Sequence, residues 1–370
     1  MNKNIITIVG ARPQFIKAAA VSKAFIKQKD ISEKILHTGQ HYEKRMSDRF
    51  FSELNIPEPF INLGIGGGTH GQNTGRMIEK IEEILIKNRP NGVLVYGDTD
   101  STLAGALSAS KLKIPIFHVE AGLRSFNRYQ PEEQNRIVTD HLSDLCFAPT
   151  NVAEFNLKKE GIKKERVIRT GDVMADTVRI FGKKTENNKN LLKDLDINGI
   201  EFILTTIHRP ENTDNPSKLR NILDALDTFQ KSNFNNKNLK IIFPIHPRTK
   251  NKIKSFGLEK YLNNFNVIAP QGFMEMNILE REASLIVTDS GGIQKEAFLH
   301  KTPCVTIRNE TEWVELIESK WNCLANTSHK LEILDQIKKQ ILFNKNSHYV
   351  SLYGDGFAAD RIVMEIQRFL

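Results

Sequence analysis

Short apolar runs recur along the chain, each ending in polar residues and followed by a stretch with helical spacing. In the first half they are IITIVG (5–10), KILHTG (34–39), GVLVYGD (92–98), IPIFHVEAG (114–122), LCFAPT (145–150) and RVIRTGD (166–172). Nearly continuous apolar runs of this length, alternating with helical segments, predict a parallel sheet covered on both faces. After Asp172 the chain passes through VMADTVRIFGKK and then TENNKNLLKDLDING, a polar stretch rich in lysine and asparagine. That change of composition marks an interdomain connection. The pattern then restarts with EFILTTIHR (201–209), LKIIFPIHPR (239–248), FNVIAP (265–270), ASLIVTDSGG (283–292) and TPCVTIRN (302–309). The closing FAADRIVMEIQRFL (357–370) is amphipathic. The expected fold class is α/β, with two doubly wound Rossmann-like domains facing a cleft.

Length supports that division, because 370 residues exceed what one hydrophobic core usually serves. The net charge of +8 comes from lysines scattered through stretches such as LKKEGIKKER (157–166), which read as solvated faces. No nucleic-acid signature interleaves with them, so nucleic acid is not an expected partner. A mild positive balance suits an anionic small substrate. Cys146, Cys304 and Cys323 show no CxxC or Cys/His metal spacing. They read as free thiols in a reducing compartment. The first apolar run is too short for a signal peptide, and no stretch approaches a membrane span. A cytoplasmic protein without a membrane partner is the expectation.

Ligands of open α/β sheets bind beyond the carboxyl ends of the strands. Polar groups stand there at residues 10–12, 37–41, 98–101, 118–120, 208–212, 246–248, 289–292 and 308–312. GARPQFIK (10–17) puts Pro13 early in a helix, with Arg12 and Lys17 near an N-terminus that favours anions. TDSGGIQKEAF (288–298) offers a second anion seat, with Ser290 as cap, Gly291 and Gly292 for close approach, and Glu296 one turn in. An arginine such as Arg308 or Arg248 opposite that turn would strengthen it. HRPEN (208–212) adds His208, Arg209, Glu211 and Asn212, and HPR (246–248) adds His246 and Arg248, cations suited to a pyrophosphate. HVEAGLRSFNRYQPEEQNR (118–136) ends a strand at Glu120, crosses a loop, and opens a helix at Pro131 that brings in Glu132 and Glu133. Glu133, Arg128 and Arg136 can also be read as structural ion-pair partners. DTD (98–100) matches a DxD metal site by spacing, but a strand-end carboxylate for proton transfer is the better reading, and no metal is expected. GARPQFIK, after the first strand, lacks the GxGxxG spacing, so no nicotinamide, and no other cofactor, is expected. No GxSxG, P-loop or HExxH appears, which leaves hydrolase, ATPase and zinc readings without support.

Taken with HTGQH, GDTDSTLAGAL, HPRT and the closing YGDG, these motifs resemble, in order and across nearly the whole chain, the non-hydrolysing UDP-N-acetylglucosamine 2-epimerases. The resemblance implies a glycosyltransferase-B-type fold in which the last helix returns to the first domain. The domains are then 1–172 plus 357–370, and 173–356. It implies C2 inversion of a UDP-2-acetamido sugar, with Asp98, Glu120, Glu132 and His208 as catalytic residues. Arg12, Lys17, Arg136, Arg209, His246, Ser290, Gly291, Gly292, Glu296 and Arg308 would bind the UDP-sugar. A homodimer is implied by the resemblance alone. One departure concerns substrate: many members carry TERPE where this chain has TEWVE (311–315), a version resembling relatives that act on UDP-2,3-diacetamido-glucuronate or 6-deoxy aminosugars.

The chemistry is coherent with these residue types. The C2 proton is not α to a ring carbonyl, and transient oxidation would need a nicotinamide. Elimination of UDP to a 2-acetamidoglucal, then re-addition from the other face, needs two acid/base groups and stabilisation of the departing pyrophosphate. Asp98 and Glu120 are assigned to the base side and Glu132 to the other face. A glycosyltransferase of the same fold, a hydrolysing epimerase and a sugar-nucleotide sensor are the competing readings.

Overall fold

Strand β1 (Lys3–Val9) carries Ile5, Ile6, Ile8 and Val9 completely enclosed, which requires neighbours on both edges and cover on both faces. In the computed structural model, which describes residues 3–40, 53–185, 190–236, 239–343 and 349–370, both conditions are met. β1 pairs in parallel with β2 (Ile31–His37) on one side and β4 (Gly92–Tyr96) on the other. The first sheet is wholly parallel and has the order β3-β2-β1-β4-β5-β6-β7. Its remaining strands are β3 (Ile61–Asn62), β5 (Ile116–Val119), β6 (Leu145–Ala148) and β7 (Val167–Arg169). Helices α1 (Arg12–Ile26), α2 (His70–Asn88), α3 (Asp100–Lys111), α4 (Pro131–Leu142), α5 (Asn151–Lys159) and α6 (Val173–Thr185) alternate with these strands. Met77, Ile81 and Leu85 of α2 repeat at four-residue spacing and pack with Ile6, Ile8, Val93 and Val95 of the sheet. Burying one such aliphatic side chain is worth about 1.5–3 kcal/mol.

The second sheet is also parallel, with the order β10-β9-β8-β11-β12-β13. It comprises β8 (Phe202–Thr206), β9 (Lys240–Pro244), β10 (Asn266–Ile268), β11 (Leu285–Thr288), β12 (Cys304–Thr306) and β13 (Asn322–Leu324). Helices α7 (Pro216–Lys231), α8 (Pro247–Ser255), α9 (Phe273–Glu282), α10 (Gly291–Leu299) and α11 (Lys330–Ile341) accompany it. One face buries Ile203, Leu226, Phe229, Phe243 and Val287, and the other buries Phe202, Leu204, Ile242, Leu279 and Ile286.

The chain divides into two compact units, Met1–Ile180 with Ser351–Leu370, and Phe181–Val350. The boundaries expected from sequence are 172 and 357, and hydrogen bonding accounts for the difference. Asp176 accepts from the N–H groups of Ala358 and Ala359 at 3.0 Å each. The Asp172 N–H donates to the Tyr353 carbonyl at 3.0 Å, so the start of α6 and the returning segment belong to the first unit. The last helix, α12 (Ala358–Phe369), sets Phe369 edge-on against Phe117 of β5 and joins Asp360 to Lys27 beyond α1. His41 and residues 186–189 lie outside the described residues. Cys146, Cys304 and Cys323 are free thiols.

Each sheet has one point where the strand order reverses, between β1 and β4 and between β8 and β11. Connections leave in opposite directions there and open a crevice at the strand ends. Residues 10–17 and 97–101 flank the first reversal. Residues 207–212 and 289–292 flank the second.

Candidate functional site

At the first reversal Gln14 joins two turns. Its side-chain carbonyl accepts from the N–H groups of Gly10 and Ala11 at 2.8 and 3.0 Å. Its amide donates to the Tyr96 carbonyl and the Thr102 hydroxyl at 2.9 Å each. The first pair closes the start of α1 as a capping glutamine does. The second pins the end of β4. Gly10 must lack a side chain, because a Cβ there would run into the Ser101 and Thr38 hydroxyls.

Tyr96 and Val119 are partners across β4 and β5, so the next residues, Gly97 and Glu120, leave the sheet side by side. Both take left-handed backbone, with φ of +63° and +71°. For glutamate this is a rare and strained conformation, of the kind that concentrates at functional sites. It turns the Glu120 carboxylate onto the ammonium of Lys17, one turn into α1, as a buried ion pair. A Cβ placed on Gly97 would lie 3.3 Å from Glu120 Oε2 and 3.5 Å from Lys17 Nζ. Asp98 follows at once and accepts from Arg136 Nη2 at 2.5 Å, its side chain partly open to solvent.

The two glutamates that open α4 separate. Glu132 is exposed and makes no ion pair among the described residues. Glu133 is buried and accepts from the Ser125 and Phe126 N–H groups at 2.9 Å each, and from Arg136 Nη1 at 3.0 Å. Arg136, expected against the substrate, therefore directs its guanidinium to Glu133 and Asp98. In the DTD stretch the two carboxylates diverge: Asp98 meets Arg136, while Asp100 meets His70 at 2.8 Å. No group of three or more His, Cys, Asp or Glu suited to a metal occurs among the described residues. Arg12 sits at the first position of α1 and is partly buried.

At the second reversal the organiser is Asp289, fully buried at the end of β11. It accepts from the His208 N–H at 3.1 Å, the Arg209 N–H at 3.0 Å and the Asn212 amide at 3.1 Å, and pairs with His208 Nδ1 at 3.0 Å. Burial alone would raise this carboxyl, but the hydrogen bond and charge of His208, with the Asn212 and Arg209 bonds, hold it below the ordinary range. The 208–212 segment is thus fastened to the start of α10. Ser290 caps that helix by accepting from the Ile293 N–H at 3.5 Å. A Cβ on Gly291 would come within 2.5 Å of Glu312 Oε1 and 3.8 Å of Arg209 Nη2, so Arg209 and Glu312 converge on the helix N-terminus. Glu312 in turn accepts from Arg308 at 3.1 Å. Gly292 is exposed and Glu296 is buried within α10. His246 caps α8 by accepting from the Arg248 N–H at 3.2 Å, and Arg248 pairs with Asp214 at 2.6 Å. In the variant TEWVE stretch Trp313 is buried, with Lys295 Nζ 4.0 Å above its ring.

Sequence reasoning did not assign Gln14 or Asp289. Both stood in quoted motifs, but nothing local distinguishes a strand-end aspartate that faces solvent from one that gathers three donors.

Comparison with known proteins bears on the same segments. The family described as UDP-N-acetylglucosamine 2-epimerase matches residues 23–367. A UDP-N-acetylglucosamine 2-epimerase homolog of Methanococcus maripaludis is 50% identical over 364 residues, covering 97% of this chain and 98% of the relative. The UDP-2,3-diacetamido-2,3-dideoxy-D-glucuronate 2-epimerase of Pseudomonas aeruginosa is 47% identical over 360 residues, with 97% and 98% covered. Among solved structures, the Methanocaldococcus jannaschii UDP-GlcNAc 2-epimerase in complex with UDP-GlcNAc and UDP aligns over 100% of both chains with a TM-score of 0.88 and 41% identity. Two parallel Rossmann-like sheets and these full-length matches agree, and the chain belongs to the UDP-N-acetylglucosamine 2-epimerase family of isomerases.

Proposed function

We propose that this chain inverts C2 of a UDP-2-acetamido sugar without releasing free sugar, interconverting UDP-GlcNAc and UDP-ManNAc or a close modified analogue. The observation that carries the reading is the pair of carboxylates at neighbouring strand ends, Glu120 against Lys17 and Asp98 against Arg136. Each carboxylate is held in place by a cation, Glu120 by Lys17 and Asp98 by Arg136. Either can take the C2 proton as UDP departs from C1. Glu132, exposed at the first turn of α4, is assigned the opposite face of the sugar.

His208, Arg209, His246, Arg308, Arg12 and the 290–292 turn are assigned to the diphosphate, and Glu296 to the nucleotide sugar's hydroxyls. Backbone N–H groups and guanidinium groups in this arrangement stabilise a leaving pyrophosphate. Arg136 is assigned to positioning Asp98 rather than to direct contact with substrate. The residues for both steps belong to the chain itself, and the proposal includes no metal or redox cofactor. A homodimer and a role in polysaccharide biosynthesis are read from the family alone, and a cytoplasmic location from the free thiols. No helix among the described residues is long and apolar enough to cross a membrane.

A second substrate is favoured by two observations. The TEWVE stretch buries Trp313 under Lys295, and the relative at 47% identity bears the name of an epimerase for UDP-2,3-diacetamido-glucuronate. The test incubates the enzyme with each of UDP-GlcNAc, UDP-2,3-diacetamido-glucuronate and UDP-N-acetylquinovosamine in D₂O and follows C2 by NMR. Deuterium entering C2 without accumulation of free UDP supports the epimerase. Free UDP rising with turnover favours a hydrolysing enzyme, and exchange at no substrate sinks the proposal.

A further inference from the structure

His118 lies on β5 two residues before Glu120, and its side chain is fully buried. Its Nδ1 stands 2.7 Å from Asp140 Oδ1, and its Nε2 stands 2.8 Å from the Gly97 carbonyl oxygen. A carbonyl oxygen only accepts. Asp140 Oδ2 already receives the Gly122 N–H at 3.0 Å and Arg124 Nη1 at 2.8 Å. Burial would raise the Asp140 carboxyl, but the charge and hydrogen bond of His118, followed by those of Arg124, keep it below the ordinary carboxylate range. With Asp140 ionised, both ring nitrogens of His118 must donate.

The partners of this dyad are the reason to look beyond packing. The Gly97 carbonyl belongs to the peptide that enters Asp98, so holding it fixes the plane from which the Asp98 side chain departs. The Gly122 N–H belongs to the turn that leaves Glu120. Asp140 is on α4, the helix that carries Glu132, Glu133 and Arg136. Glu120 holds left-handed backbone at φ of +71°, a conformation costly for a residue with a side chain, so the turn that runs from it to Gly122 needs outside restraint. A buried ion pair is rarely more stabilising than apolar side chains of the same volume, and what it adds is a defined geometry. Arg124, bridged to Glu160 at 2.6 Å as well as to Asp140, balances the second negative charge.

We propose that His118 is a positioning residue for the C2 proton transfer, held with a proton on each ring nitrogen between Asp140 and the Gly97 carbonyl. One side chain then sets the directions of both Asp98 and Glu120. The inference rests on the epimerase reading above. Asp140→Asn keeps an oxygen for the Gly122 N–H but turns a donor toward Nδ1, which leaves the ring one proton, on Nε2. His118→Gln removes the ring altogether.

The test combines a spectrum with kinetics on the full-length enzyme. In protein labelled with ¹⁵N-histidine, the His118 ring of the wild type shows two one-bond N–H couplings in H₂O buffer at the assay pH, and that of D140N shows one. Both variants are then assayed for C2 deuterium exchange. The expected loss is in kcat, about 100-fold for H118Q and about tenfold for D140N, with KM for the UDP-sugar unchanged within about twofold, as misplacement of a proton-transfer group predicts. Should H118Q fail to fold, D140N decides. A wild-type ring with one proton, or a folded D140N with wild-type kcat, overturns the positioning role while the epimerase reading stands. A wild type that exchanges no deuterium with any of the three sugars overturns that reading and the positioning role together.

Discussion

Lys17 on α1 and Glu120 one residue past β5 form an ion pair almost wholly withdrawn from solvent. They are far apart in sequence, and only the parallel sheet brings the start of the first helix beside the end of the fifth strand. The pair stands against Gly97, the residue that leads into Asp98, so the ion pair and the stem of a second carboxylate share one corner of the sheet. Two consequences separate stability from chemistry.

Removing one partner takes the opposite charge away from a buried ionised group. Lys17→Met and Glu120→Gln are each expected to lower the unfolding free energy by about 3 kcal/mol, and the double variant by less than the sum. Urea denaturation of all four proteins measures the coupling. In the C2 exchange assay, Glu120→Gln is expected to lose at least about 100-fold in kcat, the scale of a general acid–base group. Undiminished epimerisation by this variant removes Glu120 from proton transfer.

A pH effect on stability arises away from the site. Glu33 on β2 accepts from the Thr7 hydroxyl at 2.5 Å, and its Oε2 is buried. Burial pushes its carboxyl up to about 7, against the opposing bonds of Ser22 and Thr7. The folded protein therefore holds the proton more tightly than the unfolded chain. The stabilising contribution is full below the unfolded value near 4.5 and is lost as pH rises through about 7. Its size is up to about 3 kcal/mol. Glu33→Gln is expected to flatten stability between those limits and to be more stable than the wild type at pH 8. Urea midpoints at pH 4, 6 and 8 test this, and a parallel pH dependence in both proteins rejects it.

At the second switch point, Gly291→Ala has normal backbone to occupy but too little room. Its Cβ would meet Glu312 Oε1 at 2.5 Å, and the flexible glutamate can withdraw. Stability should change by less than about 1 kcal/mol, the range of substitutions that a mobile side chain can accommodate. Displacing Glu312 from Arg308 alters the proposed diphosphate seat, so KM for the UDP-sugar is expected to rise about tenfold with kcat nearly kept. A variant with lower kcat and unaltered KM argues against that assignment.

Much of the sheet architecture is legible in the sequence because both sheets are parallel and doubly covered, so their strands read as apolar runs. The strands that escape, Ile61–Asn62 and Asn322–Leu324, are two- and three-residue edge strands with no room for a pattern. Motif positions are legible at strand ends, since topology forces ligands there. The roles within a motif are not. Pro131-Glu132-Glu133 offers adjacent carboxylates, and helix geometry alone turns Glu133 inward to the 125–126 loop and Arg136 while Glu132 stays outside. The left-handed backbone of Glu120 leaves no trace in residue type, because local preference argues against it. Long-range partners such as Asp140 for His118 need the fold.

Asp289 is the strongest case of a partner set hidden from sequence, and Asp289→Asn tests what it does. The carboxylate gathers the His208 and Arg209 N–H groups and the Asn212 amide. An asparagine keeps one acceptor but points an amine at donors, leaving buried N–H groups unmatched at about 1–3 kcal/mol. Because the aspartate is held below its ordinary range in the fold, its contribution is present above the unfolded value of about 3.9 and fades as pH falls through the folded one. The wild type should therefore exceed D289N in urea stability at pH 7, and the gap should narrow as the pH falls below about 3.9. Loosening the 208–212 segment also frees His208 and Arg209 from their place beside the 290–292 turn. KM for the UDP-sugar is accordingly expected to rise by about tenfold or more. A gap that persists unchanged at low pH assigns the loss to altered packing rather than to the charge of Asp289. An unchanged KM in a destabilised variant detaches His208 and Arg209 from substrate binding.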